Sequence, residues 1–513
     1  MPYKLMLKHV LICSACLVGL TLVMPVIAGN LPQFTVDTVV LARSGQPSPD
    51  GNGVFGDQFT PPLLNNAGQT AFVARLLATA SPDVIDDLGL YRASAIEVIT
   101  MARGGDTSAA NNLLNLQPLQ LSSLARRQLM GIDGSGGVAF IATDSETMDA
   151  IYRSDGVALS TVLQAGQNTA FGDDLQVGPA ALGFLVNNNG QLAYLLNSNT
   201  QNLLVRSDGL VTQPVFGSGQ SLPGPNTLAA IRAFGLSNSG EVVARLNTSS
   251  DSFGPFVGDP GSVRLVNQTG AAAPDGLGSF VADPPRLPAA INSQSAVALV
   301  TAVDDITMDY LGLYVDQGAG LIEQTRTGNP TFGGTLLGLV SGLQLNDRGD
   351  LLYAMVSSDN TQIERLVLHR DGAERLVASL GDAVAPVVGG LINSFNGFTL
   401  NESGQVMISA RVVIPGLPQA TGLYLYDPIQ GLVEVVRTGQ AFAGGTLTVI
   451  SAALPLFPLE TNTLGNAQTG FNDAGQVAFA YALDNGEQGI ALADVQFVLP
   501  DALFKDSFES IVP

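Results

Sequence analysis

The side chains able to do covalent or metal chemistry are few. Beyond residue 28 the chain has one histidine, His369, one lysine, Lys505, and no cysteine. Serine, cysteine and metal enzymes draw their base or ligands chiefly from histidine. His369 stands alone in Val367-Leu368-His369-Arg370-Asp371-Gly372, at a strand end beside a hairpin turn, and reads as a surface residue. The sequence shows no His-x-x-x-His pair, phosphate loop or dinucleotide fingerprint. Gly134-Ser135-Gly136 and Gly217-Ser218-Gly219 fall in turns, whereas a nucleophile elbow joins a strand to a helix. No residue is assigned a catalytic or cofactor-binding role.

Carboxylates remain. Three loops are acidic: Asp83, Asp86 and Asp87; Asp144, Glu146 and Asp149; and Asp304, Asp305 and Asp309. Calcium needs several hard oxygen ligands, and a glycosidase needs two opposed carboxyl groups, so these nine residues are the weak candidates for either chemistry. They lack the spacing of a calcium loop and any paired order, and a solvated acidic rim is the favoured reading. Calcium is the one cofactor they admit.

The elements that carry these loops repeat. Asn65-Asn66-Ala67-Gly68-Gln69-Thr70-Ala71-Phe72 returns as Asn472-Asp473-Ala474-Gly475-Gln476-Val477-Ala478-Phe479, with further copies opening at Asp133 and Asn187. Weaker copies centre on Gly240, Ser295, Gly349 and Gly404. The marker position falls at 68, 136, 190, 240, 295, 349, 404 and 475, a period near 55 residues with longer steps of 68 and 71 at the two ends. This is the signature of a repeat architecture. Asn or Asp opens each turn because its side chain caps backbone N–H groups ahead of it, and Gly follows where the backbone needs positive φ. The turn residues Asn65, Gly68, Asp133, Gly136, Asn187, Gly190, Gly240, Asn292, Asn346, Gly349, Asn401, Gly404, Asn472 and Gly475 are therefore structural.

A second glycine recurs at 45, 105, 166, 219, 270, 328, 381 and 439, after runs such as Val435-Val436-Arg437. Ahead of most copies lies a run like Gly89-Leu90-Tyr91 or Gly422-Leu423-Tyr424, joined by Gly or Asp-Gly hairpin turns. Each unit thus holds four short strands, the content of a propeller blade. Val36 to Arg43 is a fourth strand with no blade before it, and after Gly489-Ile490-Ala491-Leu492 no fourth strand follows. One completes the other. The expectation is an all-β, eight-bladed β-propeller with four-stranded blades, its ring closed by the N-terminal strand; a β-solenoid and a seven-bladed propeller are the alternatives.

These turns resemble a family of bacterial secreted proteins with tandem Asn-x-x-Gly-x-x-Ala-Phe repeats of the choice-of-anchor type. The match covers nearly all of the chain after residue 28 and departs where Ser237 replaces the Asn, Ser295 the Gly, and Leu352-Tyr353 the Ala-Phe. The resemblance implies an exported repeat protein and transfers no activity or catalytic residue. Leu503-Phe504-Lys505-Asp506-Ser507-Phe508-Glu509 also resembles a short Phe-x-Asp-Gly-Phe-Glu ending of exported proteobacterial proteins, with Ser507 in place of the Gly.

Lys4 and Lys8, the apolar run Val10 to Val23 and the small residues before Gly29 read as a signal peptide over 1–28. The repeat domain then spans 30–495 and a short tail 496–513. Removing the signal takes the formal charge from −22 to −24, because residues 1–28 hold two lysines and no acid. So acidic a chain repels nucleic acid. Past the signal no apolar run reaches membrane-spanning length. The expected function is an exported, non-catalytic scaffold in the periplasm, at the cell surface or outside the cell, binding a polysaccharide or protein partner. A carboxylate-dependent glycan-active enzyme and a purely structural surface or matrix protein are the alternatives.

Overall fold

The strand that follows each marker turn is buried on both faces, so it reads as a continuous apolar run instead of an alternating one. In Gln476–Leu483, five consecutive residues from Val477 to Tyr481 are buried. The computed structural model describes residues 34–497 except 81–83, 108–112, 117–128, 145–148, 165–175, 178–183, 198–201, 224–226, 250–254, 282–288, 306–309, 332–333, 336–340, 357–362, 385–389 and 456–467. The signal over 1–28, the tail beyond Phe497, Gly166, Asp83, Glu146 and Asp309 lie outside the described residues, as do the side chains of Asp144, Asp149 and Asp305.

Eight antiparallel sheets are arranged around a common axis as a β-propeller. A blade is seen whole in the seventh: Leu391–Leu400, Val406–Val413, Ala420–Asp427 and Gly431–Arg437, hydrogen-bonded in chain order. The eighth contains Gly445–Ser451, Gln476–Leu483 and Gln488–Phe497, and its fourth strand is Phe34–Arg43. The pairing runs from Phe34 against Phe497 to Arg43 against Gly489, with one irregularity between Val40 and Ala42. The ring is closed as the ends of the sequence require, and the solenoid and seven-bladed alternatives fall.

Apolar clusters fill the gaps between blades. Across the closure, Ala478 and Ile490 of blade eight join Phe55, Phe72 and Tyr91 of blade one. Phe55 meets the Tyr91 ring edge-on at 4.9 Å, a favourable aromatic geometry. The Gly-Leu-Tyr runs have a steric cause. Side chains two apart on a strand share a face, and the Tyr rings lie back over the glycines. A Cβ on Gly89, Gly312 or Gly422 would clash with the ring or hydroxyl of Tyr91, Tyr314 or Tyr424.

The second glycine series hooks one blade to the next. Gly45, Gly105, Gly219, Gly270, Gly381 and Gly439 each donate a backbone N–H to the first strand of the following blade, at 2.7–2.9 Å. All six have positive φ, between 79° and 87°. Among the described residues, no helix is long and apolar enough to cross a membrane.

Deleting residues 30–46 strips an edge of blade eight and half of the hook into blade one. The midpoint of thermal unfolding should fall by more than about 10 °C, since a large domain moves roughly 2–4 °C per kcal/mol lost. A truncated protein that melts with the parent contradicts closure by this strand.

Candidate functional site

Because neighbouring strands are antiparallel, the hairpins of a blade alternate between the two faces of the ring. The marker turns gather at the axis on one face. In five of the six Asn turns one side chain does three things, and in the sixth, that of Asn292, the residue four positions on is Ala296, which offers no side-chain acceptor. Asn472 Oδ1 accepts the N–H groups of Ala474 and Gln476 at 3.1 and 3.0 Å, as an Asx turn does. Its Nδ2 donates to Gln476 Oε1 at 2.9 Å, which fixes the amide orientation. The same Nδ2 donates to the backbone carbonyl of Asn65 in the next blade at 3.1 Å.

That last bond recurs around the ring. Asn65 reaches the Asp133 carbonyl, Asn187 that of Ser237, Asn292 that of Asn346, Asn346 that of Asn401, and Asn401 that of Asn472, all at 2.9–3.0 Å. Asp133 has no amide to donate, and there Gly134 N–H bonds the Asn188 carbonyl at 2.9 Å. Beside Ser237, the Ser295 hydroxyl bonds the Glu241 carboxylate. Ser295, which departs from the Gly pattern, holds the left-handed conformation at φ 63°. Arginines add a further link: Arg92, Arg153 and Arg206 donate to the carbonyls of Gly136, Gly190 and Gly240 in the following blade.

One residue further on, a second circuit runs the same way. Ser293 N–H donates to Asp347 Oδ1 at 2.6 Å, Asp347 N–H to Glu402 Oε2 at 2.7 Å, Glu402 N–H to Asp473 Oδ1 at 2.9 Å, and Asp473 N–H to Asn66 Oδ1 at 3.1 Å. These side chains line an axial cup of about 140 Å³. Asn188 and Asn238 line its opposite side, and among the described residues no lysine, arginine or histidine lines it.

The cup has a floor. Gln468, in the connection between the first two strands of blade eight, pairs across the ring with Ile132: its Oε1 accepts the Ile132 N–H at 2.7 Å and its Nε2 donates to the Ile132 carbonyl. Leu64 N–H bonds the Thr469 carbonyl at 2.9 Å. Gln468, Thr469 and Phe471 form part of the cup wall. The 71-residue step before Gly475 accommodates this connection.

Electrostatics inside the cup are uneven. Burial first, then the Asp347 carboxylate, push Glu402 up to about 7, with Asp473 and Asp350 adding to the rise and the Asp347 N–H opposing it.

The acidic loops singled out from the sequence are placed differently. Asp86 and Asp87 are half-buried: Asp86 accepts the Asn52 amide at 3.4 Å, and Asp87 lies 3.5 Å from Arg75. Asp304 is exposed, in register with Ser279. Among the described residues no group of three or more His, Cys, Asp or Glu side chains is placed to hold a metal ion. His369 is half-buried and does not line the cup. The carboxylates brought together are instead Asp347, Glu402 and Asp473. Their signal was the column after each marker Asn, where blades six, seven and eight carry Asp, Glu and Asp in succession.

The chain belongs to a family of unknown function, DUF7453, matched over residues 37–364 and 288–501. No curated protein matches it. It is similar to the WD40 domain of SCAP from fission yeast, at 10% identity over 90% of this chain and 98% of that one, with a TM-score of 0.36. A protein of unknown function from Dyadobacter fermentans matches at 10% identity over 90% and 99%, TM-score 0.28. The six-bladed lectin of Aleuria aurantia matches at 11% over 63% and 95%, TM-score 0.28.

Two outcomes follow from the axial geometry. Asn472→Asp keeps both turn-capping acceptors but loses the donor to the Asn65 carbonyl, and should cost about 1–3 kcal/mol in urea unfolding; an unchanged midpoint contradicts the role given to the amide. Glu402 is held above its unfolded value, so the folded state binds its proton more readily. Its contribution to stability is full below about pH 4.5 and is lost as pH rises towards about 7. Glu402→Gln should melt higher than the parent by a few degrees above neutral pH, and the gap should close on acidification; a gap independent of pH refutes the assignment.

Proposed function

We propose that this member of a family of unknown function is an exported, non-catalytic binding scaffold, acting in the periplasm, at the cell surface or outside the cell on a polysaccharide or protein partner. One observation carries the reading: the polar groups at the axis serve the ring itself. Asp347, Glu402 and Asp473 each hold a backbone N–H of the preceding blade. Carboxylates so engaged suit a rigid recognition surface better than a pair that must exchange protons and admit water between them. Export is supported by Lys4, Lys8 and the apolar run Val10 to Val23, and by the resemblance of the marker turns to tandem Asn-x-x-Gly-x-x-Ala-Phe repeats of bacterial secreted proteins.

A glycan-active enzyme is favoured by one specific feature, the Glu402 carboxyl raised to about 7 beside two other acids, which is the environment of a general acid. The two readings part in a simple experiment. The protein is run in native gels cast with neutral or acidic polysaccharides, and the same polysaccharides are assayed for newly released reducing ends. Retardation without release is the expected result. Release that disappears in Glu402→Gln overturns the non-catalytic reading, and free migration in every gel removes polysaccharide as the partner.

A further inference from the structure

We propose that the outer hairpins on the marker-turn face rest on a lipid bilayer with neutral headgroups, into which Ile96, Val157, Leu210 and Ile429 dip. The inference goes beyond the polysaccharide or protein partner above, since it names a different kind of surface and uses residues outside the cup.

Single exposed apolar residues are ordinary on a protein surface, but the placement of these four is not. They are 85–96% exposed. Each is the tip of the hairpin between the third and fourth strands of its blade, in blades one, two, three and seven. Hairpins alternate between faces, so these share a face with the marker turns. Each tip stands two residues after a Ser or Asp. The side-chain oxygen of Ser94, Asp155, Asp208 or Asp427 accepts the tip's own N–H and the one after it, at 2.8–3.3 Å. A backbone that enters lipid must satisfy its donors without water, and these tips do so within the hairpin. The cap also keeps a polar or charged group two residues behind the apolar side chain, which confines entry to the headgroup boundary. Blades four to six are built differently. Asp259 is followed two residues on by Gly261, the Asp316 cap holds Gly318 N–H at 2.8 Å, and Gly372 is followed by Ala373.

The apolar tips thus occupy one side of the ring, and blade eight lies in the middle of that side. There the chain enters at Phe34 and leaves at Phe497, which pair across the seam on this same face. Ten residues, 24–33, separate Phe34 from the apolar run Val10 to Val23. Fully extended they span at most about 40 Å, so a bilayer that holds the run has Phe34 within that reach. The strongly acidic chain disfavours an anionic lipid surface, and the tips then select a neutral one. A second copy of the chain fits less well. Four side chains on four separate blades do not form the continuous patch of roughly 800 Å² per partner that a stable protein interface buries, whereas lipid takes them one at a time.

The test uses the chain from Gly29 onward, which holds the whole ring and drops the apolar run that would itself enter vesicles. It has no cysteine, so one introduced cysteine places an environment-sensitive fluorophore at a single site. With phosphatidylcholine vesicles, labels at Val157→Cys and Ile429→Cys should shift to the blue. Labels at Ala373→Cys, in the blade-six hairpin, and at Asn485→Cys, on the opposite face, should not. Replacing all four tips, Ile96→Ser with Val157→Ser, Leu210→Ser and Ile429→Ser, should cut co-sedimentation with the vesicles about fivefold or more. Thermal unfolding of that variant should match the parent's, because the four side chains are exposed. No co-sedimentation of the parent at millimolar lipid, an equal shift at Ala373→Cys or Asn485→Cys, undiminished binding by the serine variant, or preference for phosphatidylglycerol vesicles each overturns the proposal. A tip-label shift that grows with protein concentration in the absence of lipid also overturns it, and assigns the tips to a second copy. The serine variant should keep the parent's behaviour in polysaccharide gels, so the failure of this proposal and that of the polysaccharide partner are distinguishable.

Discussion

The fold depends on one repeated hydrogen bond, from the side-chain amide of a turn Asn to a backbone carbonyl in the next blade. A lone bond of this kind contributes about 1 kcal/mol net. Its importance lies in where it sits. At the axis, backbone carbonyls converge away from solvent, and a buried carbonyl without a donor costs more than the bond returns. Six Asn amides meet that requirement in one rotational sense, from Asn65 to Asp133 and on to Asn472 back to Asn65. The apolar clusters between blades supply most of the stabilisation, while the amides fix the relative height of adjacent blades. A slip of one blade along the axis would break its bonds on both sides.

The same constraint shapes the cup. Residues one position beyond each marker are carried to the axis whether or not they have a separate role, and the ring recruits them as acceptors. Acidic residues suit the position because a carboxylate accepts strongly from a backbone N–H. Three in succession, on blades six to eight, crowd negative charge where solvent is limited, and Glu402 answers by holding its proton more tightly. The chemistry of the site is thus a by-product of how the ring is held, made uneven by which blades carry acids. Asn66, Asn188 and Asn238 occupy the same position without charge.

Much of the architecture was legible in the sequence. Eight markers at a near-constant step, and a fourth strand missing at one end but spare at the other, define a closed ring because strand count and closure are local and arithmetic. The Asn turns were legible as turns, since Oδ1 capping acts within five residues. The interblade bond was not, because its acceptor lies 50 to 71 residues away, or 407 across the closure. A clue was present: Asp caps as well as Asn, yet only Asn has a second end that donates, and six of eight turns use it. The cup was missed for a related reason. Along the chain, acids cluster in the loops around Asp86, Glu146 and Asp304, whereas Asp347, Glu402 and Asp473 cluster only once the blades are wound together. Gln468 was equally hidden, since a long step signals an insertion without saying where it reaches.

The pairing of Phe34 with Phe497 carries a kinetic consequence. Most strands within a blade meet across short hairpins and can form early, but the closing contact joins positions separated by most of the chain. Contacts of such separation are slow to form because so much chain must be ordered first. Until then the array is an open arc whose final strand, Gln488–Phe497, presents an unpaired edge. The vulnerable moment in the life of this molecule is therefore late in assembly, when seven blades and most of an eighth are built and the seam is still open. Its first strand and its last decide together whether the arc shuts on itself or pairs with a neighbour.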